Sequence, residues 1–175
     1  MAEALHELHR ALSRLSPPLK KSLPPYTQEL TEVRSLLEMA DALPQVSESD
    51  RHLLATTFLR VEDELNVLAP EPSHQVIHGS PHSYNVLWVG NEARFIDWET
   101  TCTGPLEWDL AHLDPDAAAH HVRPVNSRLL WLCRAMVSVK TAVLCFAEAH
   151  RGDLNEHAQW HLAHIKGHVV PHLMV

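Results

Sequence analysis

The sequence predicts a mainly α, α+β fold in which helices surround one small β-sheet. Two patterns lead there: apolar residues recur at helical spacing up to Leu65 and again from Leu129 to Val169, and between Val76 and Ile96 the apolar runs are short and broken by turn residues. At 175 residues the chain is read as one domain spanning 1–175, long enough to bury a core.

Leu5, Leu8, Leu12 and Leu15 follow i, i+3, i+7, i+10 and place a first helix over 2–15. Pro17 and Pro18 end it, and Pro24 and Pro25 close a linker. Thr27 is a candidate N-cap, with Glu29 in the first turn of a second helix whose inward positions are Leu30, Val33, Leu37 and Ala40. Ser47, three residues before Asp50, opens a third helix with Leu54, Phe58, Val61 and Leu65 on its apolar stripe. A short strand follows at Val76–Ile77. Strands over 85–89 and 93–96 are joined by Gly90-Asn91, a hairpin-type turn. Helix resumes over 107–113, the connector 114–121 has some helical character, and a densely apolar helix covers 126–150. Gly152 separates it from a last helix over about 153–170.

The formal charge of -8 excludes the basic footprint that a general nucleic-acid or membrane-surface binder needs. No apolar run is read as membrane-spanning, and residues 1–7 carry no basic-then-apolar leader, so the expected location is cytoplasmic. Cys102, Cys133 and Cys145 lie far apart and form no Cys-x-x-Cys pair, as expected of reduced and mostly buried thiols. The five glycines are too scattered to build a Walker loop or a G-x-G-x-x-G turn.

Candidate chemistry gathers on the hairpin. Asn85 sits where a loop enters one strand and Asp97 where the other strand ends, so an antiparallel turn brings both to the same edge of the sheet. An amide oxygen beside a carboxylate suits Mg²⁺, which takes few protein oxygens and completes its shell with water and phosphate. The same residue types also satisfy backbone groups of turns, and spacing does not separate the two readings.

His78-Gly79-Ser80-Pro81-His82-Ser83-Tyr84-Asn85, then Ile96-Asp97-Trp98-Glu99, then Gly104-Pro105-Leu106-Glu107-Trp108-Asp109-Leu110-Ala111 together resemble the signature of the aminoglycoside phosphotransferase family, a kinase-like group similar also to choline kinases. Ala4 to Arg10 resembles the segment that follows the family's interlobe hinge. The resemblance covers nearly the whole chain as the helical C-terminal lobe only. It implies an ATP- and Mg²⁺-dependent transfer of phosphate to a hydroxyl of a small molecule, with Asn85 and Asp97 as metal ligands and His78 as the structural histidine of the catalytic loop. Asp109 is expected to tie its helix back to that loop.

Two departures stand against full activity. Ser80 occupies the place of the family's catalytic aspartate, and a neutral hydroxyl does not accept a proton at pH 7; positioned acid–base groups contribute roughly 10²–10⁴-fold. His82, two residues on, and Glu99 are the substitute bases on offer. The second departure is the family's N-terminal lobe, with its strand lysine, which has no counterpart: Lys20 and Lys21 lie in the linker, and Lys140 and Lys166 in helices. Leu5, Leu8 and Leu12 are therefore expected to be partly uncovered, which predicts a homodimer or a partner chain.

His157, His161, His164 and His168 follow i, i+4, i+7, i+11 and project from one helical face, flanked by His150 and His172. The row reads as a solvated or interface face opposite Leu162, Ile165 and Val169. Three functions are left in competition: an active phosphotransferase, a kinase-like binding or scaffold module without catalysis, and a histidine-mediated metal-binding or oligomerising protein.

Overall fold

The computed structural model describes residues 1–39, 41–149 and 152–173. Its contacts resolve into two units, Met1–Tyr26 with Leu68–Cys133, and Thr27–Val67 with Arg134–Val175. Ala40 and His150, assigned above to an apolar face and to the flank of the histidine row, lie outside the described residues.

The first unit holds helices α1 (Ala2–Leu12) and α2 (Pro17–Ser22), strands β1 (Gln75–Ile77), β2 (Val86–Val89), β3 (Glu92–Phe95) and β4 (Cys102–Gly104), and helices α5 (Leu106–Ala111) and α6 (Pro115–Ala119). The linker expected after the first helix contains a short helix of its own, α2, with Pro17 and Pro18 where a helix tolerates proline. On α1 the buried side is Ala2, Leu5, His9 and Leu12, so a histidine stands in the middle of the apolar stripe and Leu8 is displaced to its edge. Leu5 packs with Leu106, Leu110, Leu113 and Ala118 into one apolar cluster.

The single sheet expected from the sequence is instead two antiparallel pairs. β2 and β3 form the hairpin, with Val86 opposite Phe95 and Gly90 in the left-handed conformation its turn requires (φ +61). β1 pairs with β4, Ile77 opposite Cys102. Strand β4 escaped sequence reading because three residues carry too little alternation to register. The chain at Pro24–Tyr26 runs along it: Tyr26 donates its N–H to Thr103 O (2.8 Å), and Thr103 donates to Pro24 O (2.8 Å).

The second unit contains α3 (Gln28–Glu38), α4 (Glu48–Leu68, whose last residue belongs to the first unit), the later part of α7 (Ser127–Ala147), α8 (Leu154–His164), a π-helical turn at Ile165–Val169, and α9 (Val170–Leu173). Leu54, Phe58, Val61 and Leu65 are all buried, as their spacing predicted. Ser47 caps α4, its hydroxyl accepting the Asp50 N–H at 3.1 Å. Thr27 does not act as expected: it has helical φ and ψ, and its side chain makes no capping bond to α3. Ion pairs join Lys140 to Glu29 (2.5 Å), Lys166 to Asp50 (2.5 Å) and Arg34 to Glu62.

One expectation about α7 needs correcting. Its 21 residues include an 18-residue stretch of mean hydropathy 1.7, the length and apolarity of a membrane span, which the scattered Arg134 and Lys140 disguised. Because 61% of that stretch is buried inside the protein, the helix has the character of a core element. None of the three cysteines is in a disulfide, with Cys102 and Cys133 buried and Cys145 partly so; burial pushes the Cys133 thiol far up.

Candidate functional site

The loop from His78 to Asn85 leaves β1 under tight constraint. Gly79 has φ +93, and a Cβ there would lie 2.1 Å from the Thr100 carbonyl oxygen, so only glycine fits. Asp109, fully buried on α5, holds the loop from below. One carboxylate oxygen accepts the His78 N–H (2.9 Å), and the other accepts the Gly79 N–H (2.8 Å). His9 reaches the same carboxylate with Nε2 at 2.7 Å. Trp108 Nε1 donates to Gly79 O (3.0 Å), and Thr100 Oγ1 donates to His78 O (3.0 Å). Asp109 thus ties its helix to the loop, as expected. The part played by His9 was not foreseen, although its i+4 place after Leu5 on the buried side of α1 was a readable signal.

His78 is engaged at both ring nitrogens. Nε2 lies 3.0 Å from Ile96 O and must donate to it, which leaves Nδ1 to accept the Ser80 N–H at 3.4 Å. The imidazole therefore braces the loop against the end of β3.

The hairpin register sets Asn85 and Asp97 next to one another along the strand ends. Ile96 donates its N–H to Asn85 O (3.0 Å), one step beyond the Val86–Phe95 pair, and Asp97 follows directly. Asn85 is buried, and its Nδ2 donates to Ser80 O (3.0 Å), which commits the amide nitrogen and leaves Oδ1 without a bond from the described residues. Asp97 is the one non-glycine with positive φ among the described residues (φ 66, ψ 58). Such a conformation costs about 1–3 kcal/mol and collects at functional sites. Its carboxylate is exposed and has no hydrogen-bond donor among the described residues.

The other sequence candidates surround this pair. Ser80 is half-buried, and its hydroxyl makes no hydrogen bond to the described residues. The His82 ring is half-buried, 6.1 Å from Tyr84 and 6.5 Å from His112. Glu99 is exposed on the turn Trp98–Thr100. No lysine stands on a strand among the described residues.

Of the three leucines expected to be partly uncovered on α1, Leu8 is, whereas Leu5 is 0% and Leu12 9% exposed, with α5 and its neighbours supplying the cover. Exposed apolar surface lies on the hairpin instead, at Leu87, Trp88, Val89, Ile96 and Trp98. An open groove of about 490 Å³ runs between α1 and the hairpin, lined by Ala4, Leu8, Trp88, Arg94 and Phe95 among others.

The chain belongs to the phosphotransferase enzyme family, whose profile matches residues 1–129. Its fold is similar to that of choline kinase LicA from Streptococcus pneumoniae (TM-score 0.61, 14% identity), covering 93% of this chain and 64% of that one. It is also similar to the spectinomycin phosphotransferase APH(9)-Ia in its AMP-bound complex (TM-score 0.58, 15% identity), covering 94% of this chain and 63% of that one. The same enzyme in complex with ADP and spectinomycin matches with a TM-score of 0.58 and 15% identity over 94% of this chain and 60% of that one. The chain therefore spans less than two thirds of the length of these structures. No curated protein sequence matches it.

Proposed function

We propose that this chain carries the metal- and acceptor-facing half of an ATP- and Mg²⁺-dependent small-molecule phosphotransferase, with chemistry that is weak at Ser80. The observation that carries the reading is Asp97: a free carboxylate on strained backbone, one residue beyond the partner of Asn85. The residues fit a hard divalent ion, because Asn85 Oδ1 and the Asp97 carboxylate supply two oxygens and Mg²⁺ takes its remaining ligands from water and phosphate. Leu87 and Ile96, exposed beside those oxygens in sequence, suit the flat apolar face of a nucleotide base. When bound, the ion neutralises phosphate charge as the transferred group loosens.

The protein's own part is to orient. Asp109 and His9 fix the two amides that open the loop, His78 joins the loop to the end of β3, and the Asn85 amide holds the Ser80 carbonyl. The acceptor hydroxyl faces Ser80, which cannot take its proton. His82 is the group in the loop able to do so near neutral pH. The acceptor is a small molecule with a free hydroxyl, and the acidic net charge of -8 is compatible with a cationic one.

The second reading is a binding module of the same fold that no longer catalyses, favoured by Ser80, a neutral hydroxyl where the resemblance places a carboxylate base. In it, the apolar hairpin face is covered by a partner chain or a second copy. Calorimetry with Mg²⁺–ADP and a turnover assay with Mg²⁺–ATP separate the two. The phosphotransferase reading expects nucleotide heat that depends on Mg²⁺ and slow turnover, both lost in Asp97→Asn. Nucleotide binding without turnover selects the binding module, and turnover that survives Asp97→Asn overturns the mechanism.

A further inference from the structure

The rings along α8 and the π turn after it belong to no part of the phosphotransferase reading. Leu162, Ile165 and Val169 of this segment are buried, while His157, Trp160 and His168 are exposed and His161 and His164 half-buried. The row is close-packed. The centroids of His157 and His161 are 4.8 Å apart, and those of His164 and His168 are 5.1 Å apart. Between the pairs stands Trp160, edge-on to His161 at 4.8 Å and stacked on His164 at 5.6 Å with an interplanar angle of 4°.

These spacings match a shared metal ion. With metal–nitrogen bonds of about 2.0–2.1 Å, two imidazoles on one ion place their ring centroids roughly 4.5 Å apart at a right angle and roughly 5.2 Å apart at the tetrahedral angle. Both observed pairs fall inside that interval. Two of the four imidazoles, His161 and His164, are held toward the neutral form. Burial first, then His157 and His164, lower His161 to about 4, and burial followed by His168 lowers His164. A neutral ring offers its lone pair to a metal without first losing a proton.

We propose that this row is a chelating site for a borderline divalent transition-metal ion (Cu²⁺, Ni²⁺ or Zn²⁺), held by the one-turn pairs His157/His161 and His164/His168. All the protein donors are imidazole nitrogens, which selects these ions over Mg²⁺ or Ca²⁺. Among the described residues no group of three His, Cys, Asp or Glu side chains forms a metal cage. Each pair is therefore a two-point chelate with water completing the shell, suited to an exchangeable ion rather than a structural one.

Trp160 supplies the readout, because paramagnetic Cu²⁺ bound to either pair lies within quenching range of its indole. The test uses the full chain without an affinity tag, titrated with CuCl₂ by fluorescence and calorimetry. Saturable binding of two equivalents is expected, with a quench that Trp160→Phe abolishes. His161→Gln and His164→Gln should each remove one equivalent, and the double variant should bind at least 10-fold more weakly. The chain has 15 histidines. Binding that is undiminished in the double variant would place the ion on the others, as adventitious binding only, and would overturn the site; so would the absence of saturation below millimolar Cu²⁺.

Discussion

Asp109 is the residue on which the loop from His78 to Asn85 rests. It has no exposure, and its two oxygens take three donors: the His78 and Gly79 amides and the His9 ring. Removing a buried carboxyl group that is satisfied in this way strands its three donors. Asp109→Ala is expected to destabilise the protein by about 3–5 kcal/mol in urea unfolding, since each buried donor left unpaired costs about 1–3 kcal/mol. A loss below about 1 kcal/mol, the worth of a surface pair, would show that the loop is held by something else. Asp97 behaves in the opposite sense. Asparagine tolerates the left-handed region better than other non-glycine residues, so Asp97→Asn keeps the backbone and removes only the charge. Its folding stability should stay within about 0.5 kcal/mol of the parent, as is usual for surface changes, so that any lost ligand binding reports on the carboxylate itself.

At the scale of elements, α8 contributes a titration. Burial and the neighbouring imidazoles hold His161 at about 4, below its ordinary 6.5. The folded chain therefore binds this proton more weakly than the unfolded chain does. The contribution to stability is complete above pH 6.5 and is lost as pH falls toward 4. The groups facing His161 are His157, Trp160 and His164, with no carboxylate among them to reverse the sign. Thermal melting of the parent and of His161→Gln over that range should show a smaller acid-side decline in the variant. Equal declines would assign the acid sensitivity to other groups.

Elements also show what the sequence made legible. The α4 stripe was readable because Leu54, Phe58, Val61 and Leu65 keep helical period against one core. The hairpin was readable from Gly90-Asn91 between apolar runs. Strand β4 was not, being three residues long, and α2 was hidden because Pro17 and Pro18 read as a stop although they open a helix. His9 escaped notice for a different reason. A histidine inside an apolar stripe shows no partner until the fold brings Asp109, 100 residues away, to within 2.7 Å.

For the whole molecule, the three ordered motifs fixed the family, and the fold comparisons agree with them. Ser80 is the position that separates the phosphotransferase reading from the binding module. If its hydroxyl stands where a base is needed, Ser80→Asp should raise Mg²⁺–ATP turnover by roughly 10²–10⁴-fold with little change in nucleotide affinity. No increase would favour the binding module. The apolar surface on the hairpin is the feature that sequence periodicity could not locate, and the burial of Leu5 on α1 depends on α5 arriving from elsewhere in the chain.

The central claim is that Asn85 and Asp97 together hold a divalent ion, and nuclear relaxation by Mn²⁺ substituted for Mg²⁺ tests it most directly. Substoichiometric Mn²⁺ with ADP should broaden the amide signals of Ser80 and of residues 82–85 and 96–98 first, and Asp97→Asn should restore them. Broadening centred elsewhere in the chain, or broadening at these residues that persists in Asp97→Asn, would contradict it.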